Sequence, residues 1–359
     1  MLPLLPLLPL PTSHAMPIHH RCGLLALALP VVAAAAPAGW PEPVHSVQDW
    51  DVACDNSGTC RAAGYSPEEY PAVAVAWSVL ITRQAGADGT VSVQLQLAEE
   101  DEDVPPELLI NGQSHGQPVL ASPPSTYALD SAQSRALLQA VIEGAEIEVW
   151  LPYARQGLLS IRGGRAALQR VDRLQGRQGT ASAWVDPGEA DLSQVPAAVS
   201  LPQVTPVAVV DNTADQALAT QPSLLAAVDT AWQALGEQCW KRDPDAQLAV
   251  AIDSLDAGRV LVSTPCWYGA YNQGDVYWVA TVQAPHALQR VTVDATDYDG
   301  AGRLSGRHKG RGPGDCWRMA EWVWDGTAMV PTLDANTGQC RGKVGGYWTL
   351  PRWQAVVKE

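Results

Sequence analysis

The sequence predicts a mostly β (α+β) fold with two β-rich domains, each containing one or two short helices. Short apolar stretches alternate with polar residues and end at Gly, Asn or Pro, which is typical of strands joined by turns. The chain has 359 residues, enough for two domains of ordinary size, and its 47% apolar content supplies packed cores. The pattern contains no repeat period and no β-α-β alternation, which argues against a doubly wound nucleotide-binding fold.

The domain division is placed at a proline-rich stretch near the middle of the chain. Proline recurs between 186 and 206, which favours a linker or an extended crossover. We therefore predict a β-rich N-terminal domain over 45–185 and a β-rich C-terminal domain over 207–355.

The first residues have the pattern of a secretory signal peptide. A short basic head precedes an apolar run over 23–36, and small residues end that run. Prolines interrupt the run, which is shorter than the roughly 20 apolar residues of a membrane span, so a cleaved signal explains it better than an anchor. We predict a signal peptide over 1–38 with cleavage near Ala38, and both Met1 and Met16 fit as the start.

The cysteines indicate the same destination. Six of the seven cysteines follow the predicted cleavage point, and an even number in an exported chain is typical of disulfides. Local spacing favours three short-range pairs, although other pairings stay open: Cys54 with Cys60, Cys239 with Cys266, and Cys316 with Cys340. The sequence has no Cys-x-x-Cys pair, which argues against a zinc site and a redox-active dithiol. We expect a periplasmic or secreted protein with no cofactor.

The net charge limits the partners. With 23 basic and 38 acidic residues, the chain carries a formal charge of −15, which disfavours binding to nucleic acid or to an anionic membrane surface. The predicted mature chain has no stretch of spanning length, so we do not expect an integral membrane protein. A cell-envelope polymer or protein is the expected partner.

The first half is predicted to be rich in strands. Apolar, partly β-branched residues over 73–82 and alternating residues over 91–97 flank a Gly-containing turn, as in a hairpin. A strand over 107–110 meets the turn signal Asn111-Gly112. The remaining strands predicted in this half are 146–150 and 158–161.

Three helices are predicted from caps and apolar spacing. Asp130 and Gln133 form a capping-box pattern for a helix that Gly144 ends. The apolar spacing predicts a second helix over 166–174. A third helix is expected to be capped near Thr220, and the strands predicted after it are 259–263, 276–282, 288–293, 322–324 and 346–350.

Five blocks of residues, in order along the chain, carry a family resemblance. The opening block is Asp49-Trp50-x-Val52-x-Cys54-Asp55-Asn56, and the middle block runs from Leu159 to Thr180. The closing blocks are Cys266-x-x-Gly269-Ala270-Tyr271-Asn272, Lys309-Gly310-Arg311-Gly312-x-Gly314-Asp315-Cys316 and Trp324-Asp325-Gly326. These blocks resemble domain-of-unknown-function family 1176, a group of exported bacterial proteins, from about Val47 to Trp348. Trp317 and Met329 stand where that family usually has Gly and Phe.

The first half is also similar, more faintly, to the invasion-associated locus B proteins. Both share a Trp-x-Val-x-Cys start, and this resemblance implies a β-sandwich-like first domain. Neither family brings a known reaction, so the resemblances assign no catalytic residue.

A Gly-x-Ser-x-Gly pattern around Ser114 raises the alternative of an envelope hydrolase. The pattern acts as a nucleophile elbow only where a strand turns sharply into a helix. Prolines rather than a helical pattern follow Ser114, so a hairpin turn at Asn111-Gly112 explains the same residues better.

Acidic residues raise the alternative of a calcium-dependent binding module through Asp297 and Asp299. An EF-hand loop needs an acidic first ligand and a bidentate Glu at its last position, where this sequence has Ala295 and Gly306. A solvated Asp/Gly turn is therefore favoured. The acidic run over 99–103 is interpreted as a solvated face.

Basic and aromatic residues of the second half define a candidate ligand surface. The chain has 14 Trp and no Phe, so Trp must fill core volume, although an exposed Trp also stacks on sugar rings. Glycines among the basic residues would let backbone amides face an anion. The candidate residues are Arg307, Lys309, Arg311, Asp315, Trp317 and Trp324.

A second basic group, near the second predicted helix, is expected to form a stripe of Arg170, Arg173 and Arg177. Most arginines are expected to pair with the protein's own carboxylates. The favoured function is a non-catalytic binding or structural module of the cell envelope.

Overall fold

Antiparallel strands make up most of the secondary structure, so the mostly β prediction is confirmed. The computed structural model describes residues 43–68, 75–98, 105–122, 125–153, 155–240 and 248–358. The predicted signal peptide and the acidic run over 99–103 lie outside the described residues. Gly39–Glu359 form one compact unit, and the division of that unit into two domains stays a prediction.

Two antiparallel sheets form the first half of the described chain. Its strands are β1 (His45–Val47), β2 (Trp50–Cys54), β3 (Cys60–Tyr65), β4 (Trp77–Arg83), β5 (Val91–Leu97), β6 (Glu107–Ile110), β7 (Gln113–Ser114), β8 (Val119–Ser122), β9 (Thr126–Ala128), β10 (Ile147–Leu151) and β11 (Arg155–Leu158). One sheet has the order β1-β2-β3-β4-β5-β9-β8, and the other has the order β11-β10-β6-β7.

Two helices complete this half, α1 (Ser131–Glu143) and α2 (Gly164–Leu174). Helix α1 begins at the predicted capping box and ends at Gly144. The helices and both sheets enclose one core, in which Trp50, Leu95, Leu137 and Leu168 are almost fully buried. The alternation of the strands therefore turns one face of each sheet toward the same apolar interior.

The second half contains one helix and two larger sheets. The elements are β12 (Gln203–Val204), α3 (Pro222–Gln233), β13 (Ala251–Asp256), β14 (Arg259–Tyr268), β15 (Gln273–Thr281), β16 (Leu288–Ala295), β17 (Asp297–Tyr298), β18 (Arg303–Lys309), β19 (Trp317–Trp324), β20 (Met329–Asn336), β21 (Leu350–Gln354) and β22 (Val356–Val357). Short 3-10 helices lie at Leu192–Gln194, Thr213–Thr220 and Gly236–Gln238. The sheets have the orders β13-β14-β15-β16 and β17-β18-β19-β20-β21, and β12 pairs with β22 in parallel.

These elements stack in three layers, with the four-stranded sheet in the middle. On one face of this sheet, Val260 and Val262 pack in the same cluster as Leu224 of α3. On the other face, Leu261 packs in a cluster with Trp324 of the five-stranded sheet. Because both faces of β14 and β15 are covered, these strands contain nearly continuous apolar runs.

A loop near the C-terminal end packs on the first sheet. Trp348 is buried, and its indole Nε1 donates to Ser78 Oγ at 2.7 Å. Arg341 forms an ion pair with Asp49 at 2.7 Å. Gly338 has φ of 76°, and a Cβ built there would lie 1.9 Å from the hydroxyl of Tyr65, so only glycine fits this contact. The two halves of the chain thus share a packed interface.

Several predicted boundaries are wrong for local reasons. Thr220 ends a 3-10 helix, and Gln221 precedes α3 without a side-chain cap. The strand predicted over 158–161 is Arg155–Leu158. The strand predicted over 346–350 is wrong, because the strand at this place is β21, which begins at Leu350. Several strands are absent from the prediction, among them β18, where polar residues dominate, and β20, which a proline interrupts.

Candidate functional site

A cavity lined by charged, aromatic and apolar side chains lies between the two sheets of the second half. It has a volume of about 310 Å³. We name it the intersheet cavity, and its lining residues are Val291, Thr292, Asp294, Gly306, His308, Arg318, Ala320, Trp322, Pro331, Leu333, Asp334 and Arg352. Strand β16 supplies one wall and strands β18 to β21 supply the other. Strand alternation explains the second wall, since His308, Arg318 and Trp322 share one face of their sheet.

An inner ion pair joins two strands of the five-stranded sheet. Arg352 Nη2 donates to Asp334 Oδ2, and only 9% of the Asp334 side chain is exposed. The ladder between β20 and β21 shifts register here, which leaves Arg352 without a directly opposite residue. A bulge of this kind redirects a side chain, and the inner pair is therefore a product of strand register.

An outer ion pair bridges the two sheets. Arg318 Nη1 lies 3.5 Å from Asp294 Oδ2, with 56% and 30% of these side chains exposed. The greater exposure places this pair at the rim of the cavity and the Asp334–Arg352 pair deeper inside. The lining thus carries two carboxylates and two guanidinium groups, whose formal charges cancel.

His308 is held in place from two sides. Its Nε2 lies 2.7 Å from the backbone oxygen of Asp294, and its ring centroid lies 5.1 Å from that of Trp267. A carbonyl oxygen only accepts, so Nε2 carries the hydrogen of this bond. Nδ1 is buried and has no hydrogen-bond partner among the described residues. In the neutral ring, Nδ1 is therefore an unsatisfied acceptor with almost no accessible surface, so it lies behind the cavity wall and a ligand in the cavity does not reach it in this arrangement.

Gly306 brings the two sheets together beside the cavity. A Cβ built on Gly306 would lie 2.4 Å from the backbone oxygen of Asp294, so β16 and β18 approach more closely than any side chain permits. This close approach positions the carbonyl that orients His308.

Two residues of the predicted ligand surface, Asp315 and Trp324, are buried. Trp324 is fully buried in the core, with the Arg259 guanidinium 5.7 Å from its ring. Asp315 is also buried, and it accepts hydrogen bonds from Arg311 and from the backbone N–H of Gly342. The Arg311 hydrogen bond outweighs the effect of burial and holds the pKa of the Asp315 carboxyl below its usual range.

The other predicted surface residues lie on the outer face of the five-stranded sheet. Arg307 is exposed, 4.0 Å from Glu321, and the Lys309 ammonium lies 5.4 Å from the Trp317 ring. Strand alternation turns Arg307 and Lys309 away from His308 and hence away from the intersheet cavity. The structure therefore buries Trp324 in the core, apart from the exposed members of the predicted surface.

The arginine stripe expected near the second helix is only partly exposed, because Arg173 is exposed and Arg170 half-buried, whereas Arg177 is buried. Arg177 is fully buried, and its guanidinium donates to the backbone oxygens of Gly86 and Ala87. Arg83 pairs with the buried Asp172 at 3.1 Å. Arg83 and Arg177 thus hold the β4–β5 hairpin against α2 and the segment that follows it.

Ser114 does not occupy a nucleophile elbow. It lies in the second strand of the β6–β7 hairpin, which turns at Asn111-Gly112 as predicted, and its hydroxyl donates to Glu107 Oε1. No helix follows this strand directly, since β8 comes next in the described chain. The strand-to-helix turn that the motif requires is absent from these residues.

Asp297 and Asp299 do not converge on a common point with other carboxylates. Asp299 Oδ1 accepts from the backbone N–H groups of Ala301 and Arg303, as in a solvated Asp/Gly turn. Among the described residues, the one acidic, histidine or cysteine group close enough to hold a metal is Asp315 with Cys316 and Cys340, whose sulfurs are bonded to each other.

The six cysteines form the three local pairs that their spacing favours. The disulfides are Cys54–Cys60, Cys239–Cys266 and Cys316–Cys340. The first closes the β2–β3 hairpin, the second ties the end of a 3-10 helix to β14, and the third ties the start of β19 to the loop that packs on the first sheet.

None of the twelve residues that line the intersheet cavity is among the residues of the predicted ligand surface. The alternation of Arg318, Ala320 and Trp322 was a usable signal for a strand with one partly polar face. The pairing of Asp334 with Arg352 had no such signal, because a register shift creates it.

The fold and the cavity define a β-rich protein of packed antiparallel sheets with three local disulfides. The chain belongs to the family described as "Protein of unknown function (DUF1176)", whose family model matches residues 44–355. It is 28% identical over 330 residues to "Uncharacterized protein YpfG" of Escherichia coli (strain K12), and the alignment covers 82% of this chain and 90% of that protein. No solved structure matches significantly. In the described ranges, no helix has the length and apolar character needed to cross a membrane.

Proposed function

We propose that this chain is an exported, periplasmic protein of the cell envelope, and that it is a non-catalytic module which binds an envelope component in the intersheet cavity. The observation that carries the proposal is this cavity, where two ion pairs and apolar side chains surround about 310 Å³. A concave site with apolar walls and a few convergent polar groups is the usual form of a ligand site.

Export is supported by the cysteines and by the predicted signal peptide. All six cysteines of the predicted mature chain are in disulfides, which form and persist in oxidising compartments. The apolar run over 23–36 and the small residues at its end have the pattern of a signal peptide, which would direct the chain to export.

A binding role is supported by the way the charged groups are held. Asp334 is bound by Arg352, and Asp294 faces Arg318, so each carboxylate in the cavity already has a cationic partner. Such pairs orient a ligand through their remaining hydrogen-bonding positions and give no free carboxylate for acid–base work.

Cell fractionation of a strain that expresses the full chain tests export. We expect the protein in the periplasmic fraction, with an N-terminus near Gly39 and no thiol that reacts with a maleimide after denaturation. A cytoplasmic protein with titratable thiols would overturn the proposal.

Binding is tested with soluble fragments from purified peptidoglycan digested by a muramidase. We expect the fragments to raise the melting temperature of the purified protein, and Arg352→Ala to abolish the shift. Arg303→Ala is the matched control, because Arg303 is exposed on the opposite face of the same sheet. No shift with the intact protein, or an equal loss in both variants, contradicts binding in this cavity.

A further inference from the structure

We infer that the intersheet cavity binds a single neutral pyranose ring, so that the envelope component recognised is a sugar unit and not a peptide or an ion. This inference rests on the proposed function, because it names the ligand class of the same site. Charge, hydrogen-bonding groups, apolar surface and volume each support it.

The charge of the lining favours a neutral ligand. Asp294 faces Arg318 and Asp334 binds Arg352, so the two negative and two positive groups cancel. An anion would have to displace a carboxylate from its arginine, and a cation would have to displace an arginine from its carboxylate. The Asp334–Arg352 pair is largely buried, and removing one partner would leave the other charge uncompensated, which is strongly destabilising. The more exposed Asp294–Arg318 pair resists displacement less.

The hydrogen-bonding groups suit hydroxyls that both donate and accept. Each carboxylate has lone pairs left after its ion pair, and each guanidinium has five N–H donors in a planar fork. Neighbouring hydroxyls on a pyranose ring match this mixture of closely spaced donors and acceptors.

The apolar part of the lining suits the C–H face of a sugar ring. Trp322 lines the cavity and is only partly buried, and Val291, Pro331 and Leu333 surround the same space. An aromatic ring provides a large, rigid apolar surface with a polar edge. A ligand with one apolar face and a rim of hydroxyls fits this division.

The volume limits the ligand to one ring. The cavity of 310 Å³ holds the equivalent of about ten water molecules at roughly 30 Å³ each. This lies at the lower end of the volumes found for ligand pockets, so the cavity has room for about one ring, and further rings of a chain would lie outside it.

Calorimetric titration of the purified protein tests the ligand class with two matched arms. The first arm is N-acetylglucosamine, and the second is the peptidoglycan stem peptide released by an amidase. We expect the sugar to bind and the peptide not to bind. Peptide binding without sugar binding would overturn this inference and leave the proposed function standing, whereas failure of both arms and of the muramidase digest would overturn both.

Variants locate the sugar in the cavity. His308→Phe keeps an aromatic ring in the cavity wall and removes the Nε2–H bond to the Asp294 backbone that orients this ring, so we expect the Kd for N-acetylglucosamine to rise about tenfold. Trp322→Phe provides a second variant in case His308→Phe does not fold, and we expect it to remove most of the sugar-induced change in tryptophan fluorescence. Arg303→Ala should bind as the unmodified protein does. Sugar binding that is unchanged in both His308→Phe and Trp322→Phe would overturn the inference.

A comparison of free N-acetylglucosamine with a glycan chain of the same sugar distinguishes two sources of the ligand. Tighter binding of the chain would assign the cavity to a polymer end, and equal or weaker binding would assign it to a free sugar.

Discussion

Asp315 shows how one buried carboxylate organises the loop that reaches the first sheet. Arg311 Nε donates to it at 2.8 Å, and the backbone N–H of Gly342 donates at 2.7 Å. The neighbouring disulfide Cys316–Cys340 joins the same two segments. Arg311 belongs to the predicted ligand surface, but its anion is supplied four residues along the same chain, which is the pairing expected for most arginines of this sequence. Because acidic residues outnumber basic residues in this chain, an arginine readily finds a carboxylate of the protein itself.

Replacement of Arg311 by Gln should produce a pH-dependent loss of stability. The hydrogen bond from Arg311 keeps the folded-state pKa of Asp315 below its unfolded value, so its contribution is complete above about pH 4 and disappears as the pH falls through the folded pKa. Because Arg311 is 45% exposed, we expect a loss of about 1 kcal/mol at pH 7. Urea unfolding of Arg311→Gln and of the unmodified protein between pH 7 and pH 2 measures this loss in the free energy of unfolding.

The difference between Arg311→Gln and the unmodified protein should narrow below about pH 4. A difference that stays constant across this range would mean that Arg311 acts through packing alone. Arg303→Gln is the control and should show no such pH dependence.

At the scale of elements, helix α1 connects a local sequence signal to its neighbours. Asp130 accepts from the backbone N–H groups of Ala132 and Gln133, and Gln133 Oε1 accepts from the backbone N–H of Asp130. Gln133 Nε2 also donates to the backbone oxygen of His115, which ties the helix to the β6–β7 hairpin. The capping box therefore both starts the helix and places it.

Replacement of Asp130 by Ala should lower the free energy of unfolding by about 1 kcal/mol, because two backbone N–H groups lose their acceptor. Chemical denaturation measures this loss. Ser131→Ala, at the exposed next residue, is the matched control and should change stability by less than about 0.5 kcal/mol. Equal losses in the two variants would contradict the capping role.

Elements with local signals were predictable from the sequence, and long-range contacts were not. The capping box at Asp130, the turn at Asn111-Gly112 and the three short-range disulfides depend on residues near one another in the chain. The burial of Arg177 depends on the carbonyl of Gly86, 91 positions away. The cavity likewise depends on how β16 and β21 meet β18 to β20, and local patterns carry no information on that register.

At the scale of the whole molecule, residues from both ends of the chain share one apolar cluster. Ala53, Ala63, Tyr65 and Leu80 of the first sheet pack with Tyr347, Trp348 and Leu350. Asn56 and Gln354 add a pair of hydrogen bonds, in which Asn56 Nδ2 donates to the backbone oxygen of Gln354 and its Oδ1 accepts from the backbone N–H. These contacts couple the first sheet to the five-stranded sheet.

Replacement of Trp348 by Ala should lower the free energy of unfolding by about 3–5 kcal/mol, because a large buried side chain is lost. We also expect faster hydrogen exchange in β3 and β4, which Trp348 covers. Trp150→Ala is the control, since 40% of Trp150 is exposed. Unchanged protection of β3 and β4 in Trp348→Ala would show that the two halves are energetically independent.

The loop that carries Trp348 also determines how late in synthesis the first sheet can acquire its full set of contacts. Trp348 and Ser78 are 270 positions apart, and Arg341 and Asp49 are 292 positions apart. The outer face of the first sheet therefore has no cover until nearly all of the polypeptide is available, whatever the first sheet does on its own. Contacts of such high contact order slow folding, and a fragment that stops before this loop presents bare apolar strands to its neighbours and is prone to aggregate.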